Sequence, residues 1–520
     1  MPTSTLFTIV TVLIVALGGF LMGFDASVIS GVVGFIEGEF ALSKIELGWS
    51  VSSLALTASL GMLISGPISD RIGRRPVLKA AAVLFAVSAV VTALAPNFTL
   101  FILGRMLGGL GVGAALIIAP MYIAELAPAA LRGRLVSFNQ LNIVIGISVA
   151  FFSNYLILTL GQSESFWSEA LRLGEWSWRW MLGVEVLPAM IYFIALHFVP
   201  ESPRWLVVQG DDAKALEILT RVTNAKQAER DLQSVKESIE AERELGRASF
   251  RALFQPSMKL VLVIGITVAV LQQITGINAI FFYAPMIFEQ SGIGTNAAFM
   301  QAVLVGLTNV LFTVLAMMLI DRVGRRPLLG FGMTGIAVCM LTLAWAFAAA
   351  TYTLDEAAIE QLPEDLDRQA LLTVAGVTFE SDTEFRAALS TAIGEGSYRL
   401  YQSDLVSGAI EANEILILAA ILGFVASFAI SIGPVMWVLF AELFPNRIRG
   451  TAISFVGLIN SATAFVVTLV FPWELQTLGN AITFLIYGLL AVAGLVVLMR
   501  ILPETKGRSL EELENELVKC

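Results

Sequence analysis

The sequence predicts an all-α integral membrane protein, with twelve transmembrane helices arranged as two parallel six-helix halves. Three observations predict it. First, 57% of the 520 residues are hydrophobic and 14% charged, at a mean hydropathy of +0.81. A water-covered surface needs roughly a quarter of its residues charged, so most of this chain faces lipid. Second, about twelve apolar runs reach the ~20 residues that a helix needs to cross a ~30 Å hydrocarbon core. Third, short motifs recur at matching places in the two halves of the chain.

The runs fall near 6–34, 47–69, 77–95, 99–123, 134–159 and 178–199, then 257–288, 299–320, 328–351, 414–441, 450–472 and 479–502. The first has no basic residue before it and continues into GFDASVISG, so it reads as a retained span and not a cleaved signal. Arg71, Arg74, Arg75 and Lys79 follow span 2, and Arg132 and Arg134 follow span 4. Arg322, Arg325 and Arg326 follow span 8, and Arg447 and Arg449 follow span 10. Basic loops stay in the cytoplasm. Both termini are therefore expected there, in a multi-pass protein of the cell (inner) membrane.

Two polar stretches interrupt the spans. Residues 205–256 mix charge with helical apolar spacing (Leu216, Ile218, Leu219, Val222) and read as amphipathic helices on the cytoplasmic face. Residues 352–412 hold twelve acids against three bases, a local charge of −9 out of −10 for the whole chain. The expected organisation is a bundle at 1–204, a linker at 205–256 and a second bundle at 257–520 that contains this acidic external insert.

Several functions are excluded. A single histidine (His197) and two cysteines (Cys339, Cys520) supply neither a His/Cys metal cluster nor a disulfide framework. No G-x-x-x-x-G-K-[ST] loop is present to drive a pump with ATP, and the acidic balance opposes nucleic-acid binding. No cofactor, metal, nucleotide or covalent chemistry is expected, so the protein is not read as an enzyme.

The duplication is specific. DRIGRRPVL at 70–78 recurs as DRVGRRPLL at 321–329, and ELAPAALRG at 125–133 as ELFPNRIRG at 442–450. PESPR at 200–204 has a looser counterpart, PETKGR, at 503–508. Parallel halves of this kind hold their substrate between them, near mid-membrane.

Together with Q-Q-x-x-G-I-N and G-P-x-x-W, these motifs resemble the sugar porter family of the major facilitators over almost the whole chain. The resemblance implies the major facilitator fold and import of a monosaccharide, pentose or hexose, with a proton by alternating access. Expected partners are the sugar, the proton and the bilayer, in a monomeric carrier. The insert departs from the family's short connection.

The residues suit that chemistry. A sugar hydroxyl both donates and accepts, as does a carboxamide. Gln140 stands in span 5, Gln272, Gln273 and Asn278 in span 7, Asn309 in span 8 and Asn460 in span 11. Amides in membrane bundles also bond helix to helix, so spacing alone leaves both roles open. The resemblance places Gln140, Gln272, Gln273, Asn278 and Asn460 at sugar-contacting positions and Trp437 where an indole stacks on the ring. Ser461, Ile147 and Met22 differ from the family's usual pocket residues. Gly276 can let span 7 bend; Gly433 and Pro434 can weaken span 10.

Asp25, within span 1, is costly to insert, about 2.5–3.5 kcal/mol, and Arg105 in span 4 is its expected partner. Proton-coupled members of the family carry an aspartate at this position, and passive ones an uncharged residue. Glu185 and Glu289 read as weaker candidates near an edge or cavity. At the cytoplasmic ends, Glu125 precedes Arg132 by seven residues, and Glu442 precedes Arg449 likewise. With Arg71, Arg74, Glu201, Arg204, Arg322 and Arg325 they form an expected ion-pair network that closes the inner side. A passive facilitator, a sensor on a carrier scaffold and an exporter of drugs or organic anions are the competing readings.

Overall fold

The computed structural model describes residues 3–128, 131–245, 250–363, 366–445, 448–506, 508 and 512. Glu364, Asp365, Arg447, Cys520 and the side chains of Arg132 and Arg399 lie outside the described residues.

Helices Thr3–Val28, Lys44–Ile72, Arg74–Ala93, Phe98–Leu126 and Arg132–Gly161 are the first five spans. The sixth is two pieces, Ser177–Gly183 and Val186–Ala195. Thr295–Val323 and Arg325–Ala348 are the eighth and ninth. Among the described residues, eleven helical stretches are long and apolar enough to cross a membrane. The last of these, Arg449–Ile501, has 53 residues. At 1.5 Å per residue it would run ~80 Å, far beyond one ~30 Å core. Gly479, at φ +80°, breaks it into two crossings and restores the expected twelve.

Glycine and proline set the other breaks. Gly276, at φ +90°, ends Lys259–Ile274 and opens Ile277–Glu289, so span 7 is interrupted outright where a bend was expected. Span 10 divides at Ser431, between Glu414–Ile430 and Ile432–Leu443. The break precedes Gly433, because Pro434 lacks the N–H that would bond to residue 430 and its ring crowds that carbonyl.

The internal repeat extends to atomic detail. Gly73 and Gly324 sit at φ +102° and +104° before the third and ninth spans. A Cβ on Gly73 would lie 2.4 Å from Glu201 Oε2; one on Gly324 would lie 2.8 Å from Glu504 Oε2. Glu201 accepts from the Arg74 N–H at 3.0 Å, and Glu504 from the Arg325 N–H at 3.1 Å. PESPR and PETKGR thus do the same work: each supplies a carboxylate that seats on the N-terminus of a helix.

Between the halves, Pro203–Val208, Asp212–Val222 and Ala225–Leu245 form the expected amphipathic helices. Ile218, Leu219 and Val222 are buried, and the Arg221 guanidinium stacks on Phe7 at 4.2 Å. The insert is folded. Strands β1 (Thr351–Thr353), β2 (Thr378–Phe379) and β3 (Ile410–Glu411) make an antiparallel sheet in the order β2-β1-β3. Its own core includes Tyr352, Leu354, Phe385, Leu389, Tyr398 and Leu405.

The halves touch away from their arginine-rich loops. Gly48, four residues into the Lys44–Ile72 helix, meets the Leu469 carbonyl so closely that a Cβ would lie 1.9 Å from it. Trp49 packs edge-on against Phe465. Asn296 Nδ2 donates to Gln162 Oε1 at 2.8 Å, and mid-helix Ser148 Oγ donates to the Gly306 carbonyl at 2.7 Å.

Candidate functional site

A cavity of about 270 Å³ opens between the halves. Gln140, Gln272, Gln273, Asn278, Asn309, Trp437 and Asn460 all line it. No local pattern brings them together. They stand on spans 5, 7, 8, 10 and 11, and the break at Gly276 sets Asn278 on a separate helix from Gln272 and Gln273.

Four of the amides bond to one another. Asn460 Nδ2 donates to Gln272 Oε1 at 2.8 Å and to the Ala269 carbonyl at 2.9 Å, while its Oδ1 accepts from Gln273 Nε2 at 3.1 Å. Gln273 Nε2 also donates to Gln272 Oε1 at 3.1 Å, and Asn278 Nδ2 donates to Gln273 Oε1 at 2.7 Å. Gln272 Nε2 donates to the Gly433 carbonyl at 3.3 Å, in the first turn of the second span 10 helix. Interhelical bonding and cavity lining, alternatives in the sequence, are therefore both present. The network fixes each amide's direction before any ligand arrives.

Gln140 and Asn309 are different. Among the described residues neither makes a side-chain hydrogen bond, although Asn309 is 4% exposed. A buried amide without a protein partner is satisfied by water or ligand. The rest of the first half's wall is mostly apolar, with Val51, Leu54, Ile143, Val144 and Ile147 beside Ser27 and Arg105, and Gln140 is its one carboxamide among the lining residues. Trp437 remains 38% exposed and presents its indole to the space. Met22, Ile147 and Ser461 are also on the wall, so the departures from the family pattern fall in the cavity itself.

Beside the cavity, Arg105 Nη1 meets Asp25 Oδ1 at 2.7 Å with both side chains 1% exposed. The same nitrogen donates to the Asp25 carbonyl at 3.1 Å. Arg105 Nε and Asp25 Oδ2 have no partner among the described residues. Asp25 Oδ2 fits over Gly108, where a Cβ would approach it to 2.6 Å. Removing one member of such a buried pair costs about 3–5 kcal/mol.

Of the two places the sequence left open for Glu185, an edge or a cavity, the edge does not hold: the residue is 2% exposed, its Oε1 lacks a partner among the described residues, and it lies within Coulombic range of Asp25 and Arg105. The sixth span changes helix at this residue, and a lone glutamate in an apolar run gives no sign of which side it faces. Glu289, at the end of Ile277–Glu289, is distant in sequence from this cluster and closes the outer half of span 7.

The charged residues at the arginine-rich ends pair differently from their spacing. Arg74 pairs with Glu125 at 3.0 Å and Asp70 at 2.9 Å, and Ser202 Oγ also donates to Glu125. Arg325 pairs with Glu442 at 2.8 Å and Asp321 at 3.1 Å, and Thr505 Oγ1 donates to Glu442 at 2.7 Å. Each set joins helices of one half. Arg449 donates to the Phe444 carbonyl at 3.1 Å and not to Glu442; the chain leaves the helix at Phe444, so the seven-residue spacing is not helical. Arg204 bonds to Ser238 in the linker. Arg71 and Arg322 are exposed, without an ion pair among the described residues. Burial raises the Glu201 carboxyl above its ordinary range, against the N–H groups that it accepts from.

Comparison with known proteins agrees with this geometry. A family model described as "Sugar (and other) transporter" matches residues 11–359 and 387–517. The chain is 34% identical over 503 residues to the arabinose-proton symporter of Bacillus subtilis, covering 97% of this chain and 93% of that one. It is 33% identical to the D-xylose-proton symporter of Escherichia coli, covering 96% and 94%. The inward open structure of the Escherichia coli xylose transporter XylE superposes with a TM-score of 0.74 at 32% identity, covering 97% of this chain and 99% of that one.

Proposed function

This chain belongs to the sugar transporter family, and from that membership we propose that it imports a monosaccharide with a proton by alternating access. The observation that carries the reading is the amide-lined cavity between the halves, with a buried Asp25–Arg105 pair against its wall. The relatives named as arabinose- and xylose-proton symporters support both parts of the assignment.

The sugar lies between the fixed amides of span 7 and span 11 and the unbonded Gln140 and Asn309, with Trp437 covering its C–H face. The network is pre-oriented, so little ordering is required on binding. Residues 1–204 and 257–520 act as the two moving bodies, joined by 205–256. With the arginine-rich loops in the cytoplasm, the contacts at Gly48–Leu469 and Gln162–Asn296 close the outer side, and the conformation faces inward.

Coupling follows from charge count. Asp25, Glu185 and Arg105 place two acids beside one base in a setting where an unbalanced charge is expensive. One proton restores the balance. A rocking motion that separates Asp25 from Arg105 changes where that proton is held. At the cytoplasmic side, the Arg74–Glu125 and Arg325–Glu442 sets stiffen each half's rim, and their rearrangement accompanies closure. These pairs are largely buried, 8% and 10% exposed for Arg74–Glu125 and 11% and 22% for Arg325–Glu442, so breaking them can bias a nearly balanced equilibrium.

The test is a competition screen of pentoses and hexoses in proteoliposomes, with and without an imposed pH gradient. Uphill uptake abolished by a protonophore supports symport. Uptake that only equilibrates, with or without the gradient, identifies a passive facilitator.

A further inference from the structure

The acidic insert is fixed to one half and borders the other. Two bonds seat it on the turn between the last two spans. Asp382 Oδ2 accepts from the Asn480 N–H at 3.0 Å, capping the twelfth span, and Arg386 Nη1 donates to the Gln476 carbonyl at 3.0 Å, closing the eleventh. Ile410, on β3, fills the space over Gly292, just beyond span 7. These contacts all lie in the second half, so the insert travels with it.

One residue of the first half enters the same junction. Lys44, at the start of the second span, is only 9% exposed and pairs with Glu37 at 2.5 Å. It lines a polar cavity of about 40 Å³ together with Gln290, Asp382, Arg386 and Tyr398. That volume holds a few water molecules at most, so the corner of the first half is packed under the insert. The family model leaves residues 360–386 unmatched, so both anchoring side chains, Asp382 and Arg386, lie outside the shared scaffold.

We propose that the 352–412 insert is a latch on the outer gate, which holds the Lys44–Glu37 corner and weights the carrier toward its outward-closed state. This rests on the alternating-access reading, because opening the outer side must draw Lys44 away from Asp382, Arg386 and Tyr398. The latch thereby sets the rate at which an empty carrier reopens to the outside.

The experiment reads access, independently of sugar movement. In a Cys339→Ser, Cys520→Ser background, Ser461→Cys provides a thiol on the central cavity, labelled by a membrane-impermeant maleimide from outside. Lys44→Ala is expected to raise the labelling rate at least threefold. In parallel, Lys44→Cys with Gln402→Cys, joined by a short bifunctional thiol reagent, is expected to lower it at least tenfold, because Gln402 lines the same small cavity. Labelling unchanged in both, or a pair that the reagent does not join, overturns the latch. A shift in labelling, with no sugar uptake by the protein in which Ser461 is intact, would instead retain the latch and reject the sugar-carrier reading.

Discussion

Gln140→Ala separates binding from packing more cleanly than any other substitution in the cavity. Gln140 lines the space and makes no side-chain hydrogen bond among the described residues, so its loss removes nothing from the fold, and alanine is the better helix former. A carboxamide facing a sugar hydroxyl forms up to two neutral hydrogen bonds, each worth about 0.5–1.5 kcal/mol net. Their loss amounts to about 1–3 kcal/mol, or roughly a 5- to 150-fold rise in Kd. Thermal unfolding of the detergent-solubilised protein should be unchanged within error. Asn460→Ala supplies the contrast: it removes the three bonds to Gln272, Gln273 and Ala269, and should lower both affinity and Tm. Equilibrium binding and a melting curve on the same samples decide the matter. An unchanged Kd in Gln140→Ala, or a fall in Tm without a change in Kd, would refute the reasoning.

Other expectations follow from the same geometry. Asp25→Asn should abolish uphill accumulation while sugar exchange across the membrane persists; retained accumulation would remove Asp25 from the coupling. Gly108→Ala places a methyl 2.6 Å from both Asp25 Oδ2 and Ser88 Oγ, so coupled uptake should fall at least tenfold, and wild-type rates would show that the pair has room to shift. Gly479→Ala adds a Cβ 2.5 Å from Asp382 Oδ1 at φ +80°, and should lower Tm by several degrees. Burial raises the Asp382 carboxyl above the ordinary aspartate range. The folded state therefore holds that proton more tightly than the unfolded state, and its share of stability falls as pH rises above about 3.9. Asp382→Asn should flatten that slope in a pH series of melting curves.

Much of this was legible in the chain. Hydropathy gives the spans because a lipid-crossing helix must satisfy its backbone internally and be apolar over a fixed length. The repeated DRxGRR and PE motifs announced two equivalent halves, down to Glu201 and Glu504 on matching helix ends. The amides were found by type, since few other side chains both donate and accept. What spacing could not supply was tertiary pairing. Glu125 meets Arg74, 51 residues away, and Arg449 meets the Phe444 carbonyl and not Glu442. Glu185 is buried within Coulombic range of the Asp25–Arg105 pair, at the residue where the sixth span changes helix. The insert was seen only as a run of acids. Its order comes from buried apolar positions such as Tyr352, Phe385 and Leu389, too scattered among charges to give a periodic signal.

The central claim is that sugar and proton cross together. The direct measurement is the external pH of a lightly buffered suspension of de-energised, right-side-out vesicles when sugar is added. The account predicts immediate alkalinisation that is lost in Asp25→Asn and absent for sugars that do not compete for uptake. Sugar entry at full rate with no change in external pH would contradict it.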